Sequence, residues 1–267
     1  MMGSPAVSSV DVCVHATGDY IDYAARLAAT FEEYLFPGAS IRLILFTDRV
    51  TEVQSWKPLG RTTVLTVEVP HRSWPMSTIS RFGDYAKHQA LITADLVLFL
   101  DADMELADTV GPGLTPHRWP NGIALVLHPG FFAPSQRGLR SLYSRMRQRV
   151  RARGSWETRP ESLAYLPDED QRFYVCGGVW MGRRAEVIAL CALMDERIRE
   201  DEANGIVAVW HDESHLNWWA ATHNRQLLPP EYCYADGYPN LTGLRRRIVA
   251  IEKPAAFVQR VKGSPAP

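Results

Sequence analysis

Residues 96–103 read Leu96-Val97-Leu98-Phe99-Leu100-Asp101-Ala102-Asp103. Five consecutive apolar residues fit a strand covered on both faces, as in parallel sheets, better than one lying half in solvent. The run ends on two carboxylates spaced two apart. In an extended chain that spacing points both side chains the same way. Two hard oxygen donors suit Mn2+ or Mg2+, ions that keep positions open for phosphate oxygens. Such pairs also occur as solvated turn residues; the buried strand in front of this one favours the chemical reading.

The flanking sequence supports the same architecture. Residues 10–16, 41–47 and 64–69 read as strands, and residues 20–35, ended by Pro37-Gly38, and 79–93 as helices. This alternation predicts an α/β fold with an open, mostly parallel sheet. Ligands of such sheets bind at the carboxyl ends of the strands, where Asp101 and Asp103 fall. Further strands are expected at 123–128 and 174–181, and helices at 184–199 and 212–221. No repeat or low-complexity linker divides the chain, so one unit is expected.

Composition narrows the function classes. The 267 residues are 46% hydrophobic and 22% charged, an ordinary globular balance. With 29 Lys and Arg against 30 Asp and Glu, nothing recommends a nucleic-acid partner. Cys13, Cys176, Cys191 and Cys233 form no Cys-x-x-Cys pair and read as free thiols of a reducing compartment. No Lys or Arg precedes Arg26, and no run approaches the ~18 apolar residues of a membrane span. A cytoplasmic protein is expected, with at most a peripheral membrane contact. Arg137 to Arg153 holds seven arginines and no acid, with Leu139, Leu142, Tyr143, Met146 and Val150 at helical spacing. Such a helix either lies on an anionic lipid surface or covers the core with its apolar stripe.

Other segments carry candidate chemistry. His211 and His215 are spaced as zinc ligands on a helix, but the acid of Trp210-His211-Asp212-Glu213-Ser214-His215 is out of place for a His-Glu-x-x-His protease. Asp212 and Glu213 read alone as helix-start residues favoured by the dipole. Gly177 and Gly178 interrupt an apolar strand pattern, which marks either a bulge or the close approach of a ligand. His128-Pro129-Gly130 invites the same two readings.

Together these segments resemble glycosyltransferase family 6. The matching stretches are Phe46-Thr47-Asp48, Asp101 to Glu105, His128 to Phe131, Arg159-Pro160-Glu161-Ser162, Ala164-Tyr165 and Phe173 to Gly178. Ala203-Asn204-Gly205-Ile206, Ala208 to Asn217 and Pro230-Glu231-Tyr232 continue the series in order. The resemblance implies a GT-A fold in a single catalytic domain. Residues 10–127 would form mainly the nucleotide-sugar half, 128–250 mainly the acceptor half, and 251–267 a flexible closing tail. It further implies transfer of N-acetylgalactosamine or galactose from a UDP-sugar to O3 of a terminal galactoside, with or without a 2-linked fucose, and with retention. A non-catalytic module binding sugar nucleotides or glycans on the same fold is the competing reading.

By the same resemblance, Asp101 and Asp103 hold Mn2+, with Mg2+ as the other candidate ion. His15, Ala16, Thr17, Tyr20, Arg81, Ala102, Gly177, Gly178, Asp212, Lys253 and Arg260 join them in binding the donor. Glu213 matches the carboxylate discussed as a nucleophile; retention takes either a covalent intermediate or same-face attack within an ion pair. His128, Ser155, Trp210 and Glu213 face the acceptor. Gly130, Cys176 and Gly178 surround the donor's C2 substituent, and the two glycines favour the bulkier N-acetyl group. Three departures stand out: the arginine-rich insertion, the run Cys233-Tyr234-Ala235-Asp236 after Tyr232, and the lack of an N-terminal anchor. The last resembles the prokaryotic branch, in which many members replace the aspartates by asparagines; here both are kept, so metal dependence is expected.

Overall fold

The computed structural model describes residues 7–132 and 155–262, so the Arg137–Arg153 segment lies outside the described residues. Ten strands are described: β1 Ser9–His15, β2 Ser40–Thr47, β3 Thr62–Glu68, β4 Leu96–Asp101, β5 Met104–Leu106, β6 Ile123–Leu127, β7 Val175–Arg183, β8 Gln226–Leu228, β9 Tyr234–Ala235 and β10 Ile248–Ala250. The described helices of seven or more residues are α1 Ile21–Ala29, α2 Arg81–Lys87, α3 Arg184–Ala203, α4 His211–Thr222 and α5 Ala255–Lys262.

The main sheet has the order β3-β2-β1-β4-β7-β6-β8. Its first four strands are mutually parallel, β7 is antiparallel to both β4 and β6, and β8 runs parallel to β6. Six strands therefore share one direction and β7 alone opposes them. The mixed α/β sheet with helices on both sides agrees with the expected GT-A-like fold. Alternation along β4 divides its side chains between two core layers. Leu96, Leu98 and Leu100 pack with Ala24 and Leu27 of α1, while Val97 and Phe99 pack with Phe82 of α2, Leu190 of α3 and Trp219 of α4. This two-faced burial is why the strand lacks polar residues until its end.

The reversed strand shapes the functional rim. The finishing ends of β1 and β4 meet the beginning of β7: His15 lies opposite Asp101, and Leu100 lies opposite Val179. A second sheet, β5-β10-β9, forms beyond β4, where the Ile251 N–H donates to the Asp103 carbonyl at 2.8 Å. That bond brings the C-terminal stretch back to the acidic pair.

Several boundaries differ from expectation. The helix expected over 20–35 ends at Ala29 and gives way to a separate turn, Phe31–Tyr34, because the Thr30 hydroxyl takes the Leu27 carbonyl at 2.7 Å. The helix expected over 79–93 is a turn at Met76–Ile79, then α2, then a tighter turn at Gln89–Leu91 whose last carbonyl is taken by Arg42 at 3.0 Å. All four cysteines are free and buried. Among the described residues, no helix is long and apolar enough to cross a membrane.

Candidate active site

Arg81, the first residue of α2, reaches across the rim. Its guanidinium donates to Asp101 at the end of β4 and, through Nε at 3.0 Å and also Nη2, to Asp212 in the first turn of α4. Burial disfavours the cation, but the Asp212 and Asp101 carboxylates outweigh it and keep Arg81 charged. One side chain thus gathers three elements that are distant in sequence.

Glu213 follows Asp212 and faces β7. Its Oε2 accepts the Gly177 N–H at 2.7 Å. Asn217, one turn further along α4, laces the same region: its amide bonds both the N–H and the carbonyl of Val175 and also takes the Glu213 carbonyl. Burial pushes the Glu213 carboxyl up to about 7, against the opposing pull of the Gly177 N–H. The buried Tyr174 hydroxyl faces the Glu213 carboxylate and favours its charged form, while burial and that carboxylate push the phenol up. Sequence reasoning placed Tyr174 within the Phe173–Gly178 stretch but gave it no role of its own.

Space is short at both glycines and shortest at Gly178. A Cβ on Gly178 would stand 2.7 Å from Met104 Cε and 2.8 Å from Asp101 Oδ2; on Gly177 it would stand 3.2 Å from Glu213 Cβ. Both lie where the pairing of β7 with β6 breaks register, between Trp180 opposite Leu125 and Val175 opposite Leu127, so the bulge expected for them is present. Both let the β7 backbone approach the carboxylates.

Asp103 pairs with Lys253, whose ammonium also lies 5.6 Å from the Tyr20 ring centroid. Asp101 Oδ1 and Asp103 Oδ2 are therefore engaged by Arg81 and Lys253, and each carboxylate keeps its second oxygen. Among the described residues no group of three or more His, Cys, Asp or Glu is assembled as a metal cage. Two hard oxygens with no third protein ligand fit a divalent ion that completes its shell with phosphate oxygens and water. Residues 251–262, expected as a closing tail, lie docked: Phe257 of α5 packs edge-on against Tyr20 and Tyr23, and Arg260 pairs with Asp19 at 2.7 Å.

The β1 end is held by polar bonds that sequence did not reveal. His15 Nε2 meets Asp84 Oδ2 at 3.0 Å, Arg72 donates to the same oxygen at 2.8 Å, and His71 meets the Thr17 hydroxyl at 3.2 Å. Asp84 stands three residues after Arg81 on α2, the one spacing that would have flagged it. Ala16 and Ala102 are buried and carry no chemistry in their side chains.

Just past β6, His128 Nδ1 accepts the Gly130 N–H at 3.0 Å, and burial pushes the ring down to about 4. The neutral imidazole therefore carries its proton on Nε2. Trp210 is 47% exposed, and the partly exposed Ser155 opens the second described segment. A Cβ on Gly130 would stand 3.2 Å from both His128 and Tyr238. Cys176 is buried, with its thiol 3.9 Å from the Val179 carbonyl. Asp236 is exposed and paired with Arg246. His211 packs edge-on to Trp74 and buried His215 stands 3.5 Å from Asp201; both line one small pocket, but among the described residues no group of three or more His, Cys, Asp or Glu that could hold a metal is assembled there. A cavity of about 730 Å3 lies at the opposite end of the sheet, between Ser8, Asp95 and Arg183, away from these carboxylates.

Residues 5–260 match the model of glycosyltransferase family 6. Among characterised relatives, histo-blood group ABO system transferase 2 of Rattus norvegicus is 31% identical over 260 residues, covering 92% of this chain and 70% of the relative. Globoside alpha-1,3-N-acetylgalactosaminyltransferase 1 of Mus musculus is 27% identical over 266 residues, covering 97% and 70%. The O-antigen biosynthesis glycosyltransferase WbnI of Escherichia coli is 22% identical over 230 residues, covering 86% and 89%.

Proposed function

The chain belongs to glycosyltransferase family 6, and from that premise we propose that it moves N-acetylgalactosamine, in preference to galactose, from a UDP-sugar to O3 of a terminal galactoside with retention. The observation that carries this reading is the Arg81 bridge, which sets Asp101 and Asp212 on one cation with Glu213 beside them. A binding module has no need of a buried carboxylate of raised pKa next to a donor-holding pair.

Asp101 and Asp103 would hold a divalent ion, which supplies positive charge against the diphosphate leaving group. The protein's own groups do the rest. Arg81 fixes the orientation of Asp212, which is placed to bond hydroxyls of the donor sugar. Glu213, ionised, opposes the positive charge that develops at the sugar carbon as the diphosphate departs. Lys253, on the docked C-terminal stretch, adds a second cation at the acidic pair and helps exclude water. His128, donating from Nε2, and the exposed face of Trp210 receive the acceptor sugar. The murine relative's name as an alpha-1,3-N-acetylgalactosaminyltransferase supports the donor and linkage, and the absence of side chains at Gly130 and Gly178 supports the donor.

The test is UDP release from UDP-N-acetylgalactosamine and UDP-galactose, each with and without Mn2+ and a 2-fucosylated galactoside. Faster release from the first donor, dependent on acceptor and metal, is expected. UDP binding without release from either donor would replace this reading by the binding-module one.

A further inference from the structure

The stretch 207–209 leads directly into Trp210 and the Asp212–Glu213 pair, yet apolar packing does little to hold it. Val207 is 42% exposed and Val209 44%, and only Ala208 between them is buried. What fixes the stretch is polar. The Glu157 carboxylate, 2% exposed, accepts the Val209 N–H at 2.9 Å, and Arg159 donates to the Val207 carbonyl at 2.6 Å. Glu157 and Arg159 are locked to each other: the guanidinium forks onto both carboxylate oxygens at 2.9 and 2.7 Å, and the Arg159 backbone N–H adds a third bond at 3.0 Å.

Beyond the clamp the chain turns sharply. His211 adopts a φ of +54°, its N–H donates to the Ala208 carbonyl, and the Trp210 N–H donates to the Ser214 hydroxyl. A non-glycine residue in this left-handed region is strained, and surrounding bonds must hold it there. The neighbour of Glu157 reaches the other side of the site: Trp156 packs edge-on against Tyr174 with ring centroids 5.0 Å apart.

We propose that Glu157, locked by Arg159, is a positioning residue that fixes the 207–209 stretch and thereby sets Trp210 and Glu213 for the acceptor. The inference rests on the transferase reading for its kinetic consequence, but not for its structural one. A buried carboxylate that takes a backbone N–H as well as a forked guanidinium is a rigid support, and small displacements of reacting groups cost much in rate.

Two variants test it. Glu157→Gln removes the charge that Arg159 grips, and Arg159→Lys keeps the charge but loses the planar fork at a half-exposed position that should not compromise folding. Both are expected to speed hydrogen exchange of the Val209 amide at least about tenfold. Both should also lower kcat/KM for the acceptor by about 10- to 100-fold, while donor KM stays within about twofold. Wild-type exchange at Val209 in both variants overturns the proposal. So does faster exchange with unchanged acceptor kinetics, or an equal loss for donor and acceptor that tracks a fall in Tm. A wild-type protein with no transfer would sink the transferase reading instead, and amide exchange alone would then decide the clamp.

Discussion

The Gly177 N–H donates to Glu213 Oε2 at 2.7 Å, tying the opening of β7 to a carboxylate whose protonation burial controls. That carboxyl is pushed up to about 7 because burial outweighs the bond.

In the proposed reaction Glu213 is ionised to oppose positive charge on the sugar, so transfer at saturating substrates is expected to fall as pH drops through about 7. Rates from pH 5.5 to 8.5 check this; a flat acidic limb would contradict it. Stability moves the opposite way. A carboxyl whose folded pKa lies above its unfolded one holds its proton more tightly when folded, so it costs stability as pH rises from about 4.5 to about 7. Glu213→Gln should therefore stabilise the donor-free protein at pH 8 by about 1–3 kcal/mol and lose this advantage toward pH 4.5, as read by thermal melts.

Arg81→Met would leave Asp101 and Asp212 without their shared cation, with Asp212 only 5% exposed. Removing one partner of such a cluster costs about 3–5 kcal/mol. Urea denaturation should show that loss at pH 8 and a smaller one at pH 5, where the Asp212 carboxylate, pushed up by burial, takes up a proton more readily.

Gly178→Ala should be far more harmful than Gly177→Ala. The new methyl group on Gly178 meets Asp101 Oδ2 and Met104, while that on Gly177 meets only Glu213 at 3.2 Å. A stability cost of about 1–3 kcal/mol is expected for the first, as for other overpacked sites. Its Mn2+ affinity, measured by titration calorimetry with UDP present, should fall at least about tenfold, and a wild-type value would refute the assignment of Asp101.

Phe257→Ala removes the ring wedged against Tyr20 and Tyr23 and leaves α5 attached chiefly through Arg260 and Asp19. Truncating this partly buried ring should weaken docking of the helix by about 2–3 kcal/mol. Limited trypsin digestion should then cut after Arg260 several times faster, the bond after Lys253 being protected by Pro254, and donor KM should rise severalfold. Unchanged cleavage would mean that the aromatic packing does not hold the strap.

The elements readable from sequence were those that bury both faces. β1, β2 and β4 announce themselves by apolar runs, and Asp101 by the abrupt end of one. β5, β9 and β10 have three residues or fewer and exist only because they pair with one another, so no local pattern signals them. The site divides in the same way. The acidic pair and the Asp212–Glu213 doublet are visible as motifs, but the Arg81–Asp212 bond spans 131 positions and the Lys253–Asp103 bond 150. Resemblance to a family supplied those residues, and Arg81 as support of the acidic motif, but not the Arg81–Asp212 or Lys253–Asp103 pairing. Glu157 and Asp84 were missed because each acts through another group, Glu157 on a backbone N–H and Asp84 on a histidine and an arginine.

The reversal of β7 makes the protein intolerant of near misses. Strand pairing sets Val179 opposite Leu100, the residue before Asp101, and a slip of a single position would exchange inward and outward side chains along the whole strand. Val179 would then press into the space that Gly178 leaves open, and the Glu213 carboxylate would lose its amide. A molecule misaligned by one residue would still possess a sheet, a core and every functional side chain, and would be inert. For this fold, alignment of one strand is itself a proofreading step between a collapsed chain and a working one.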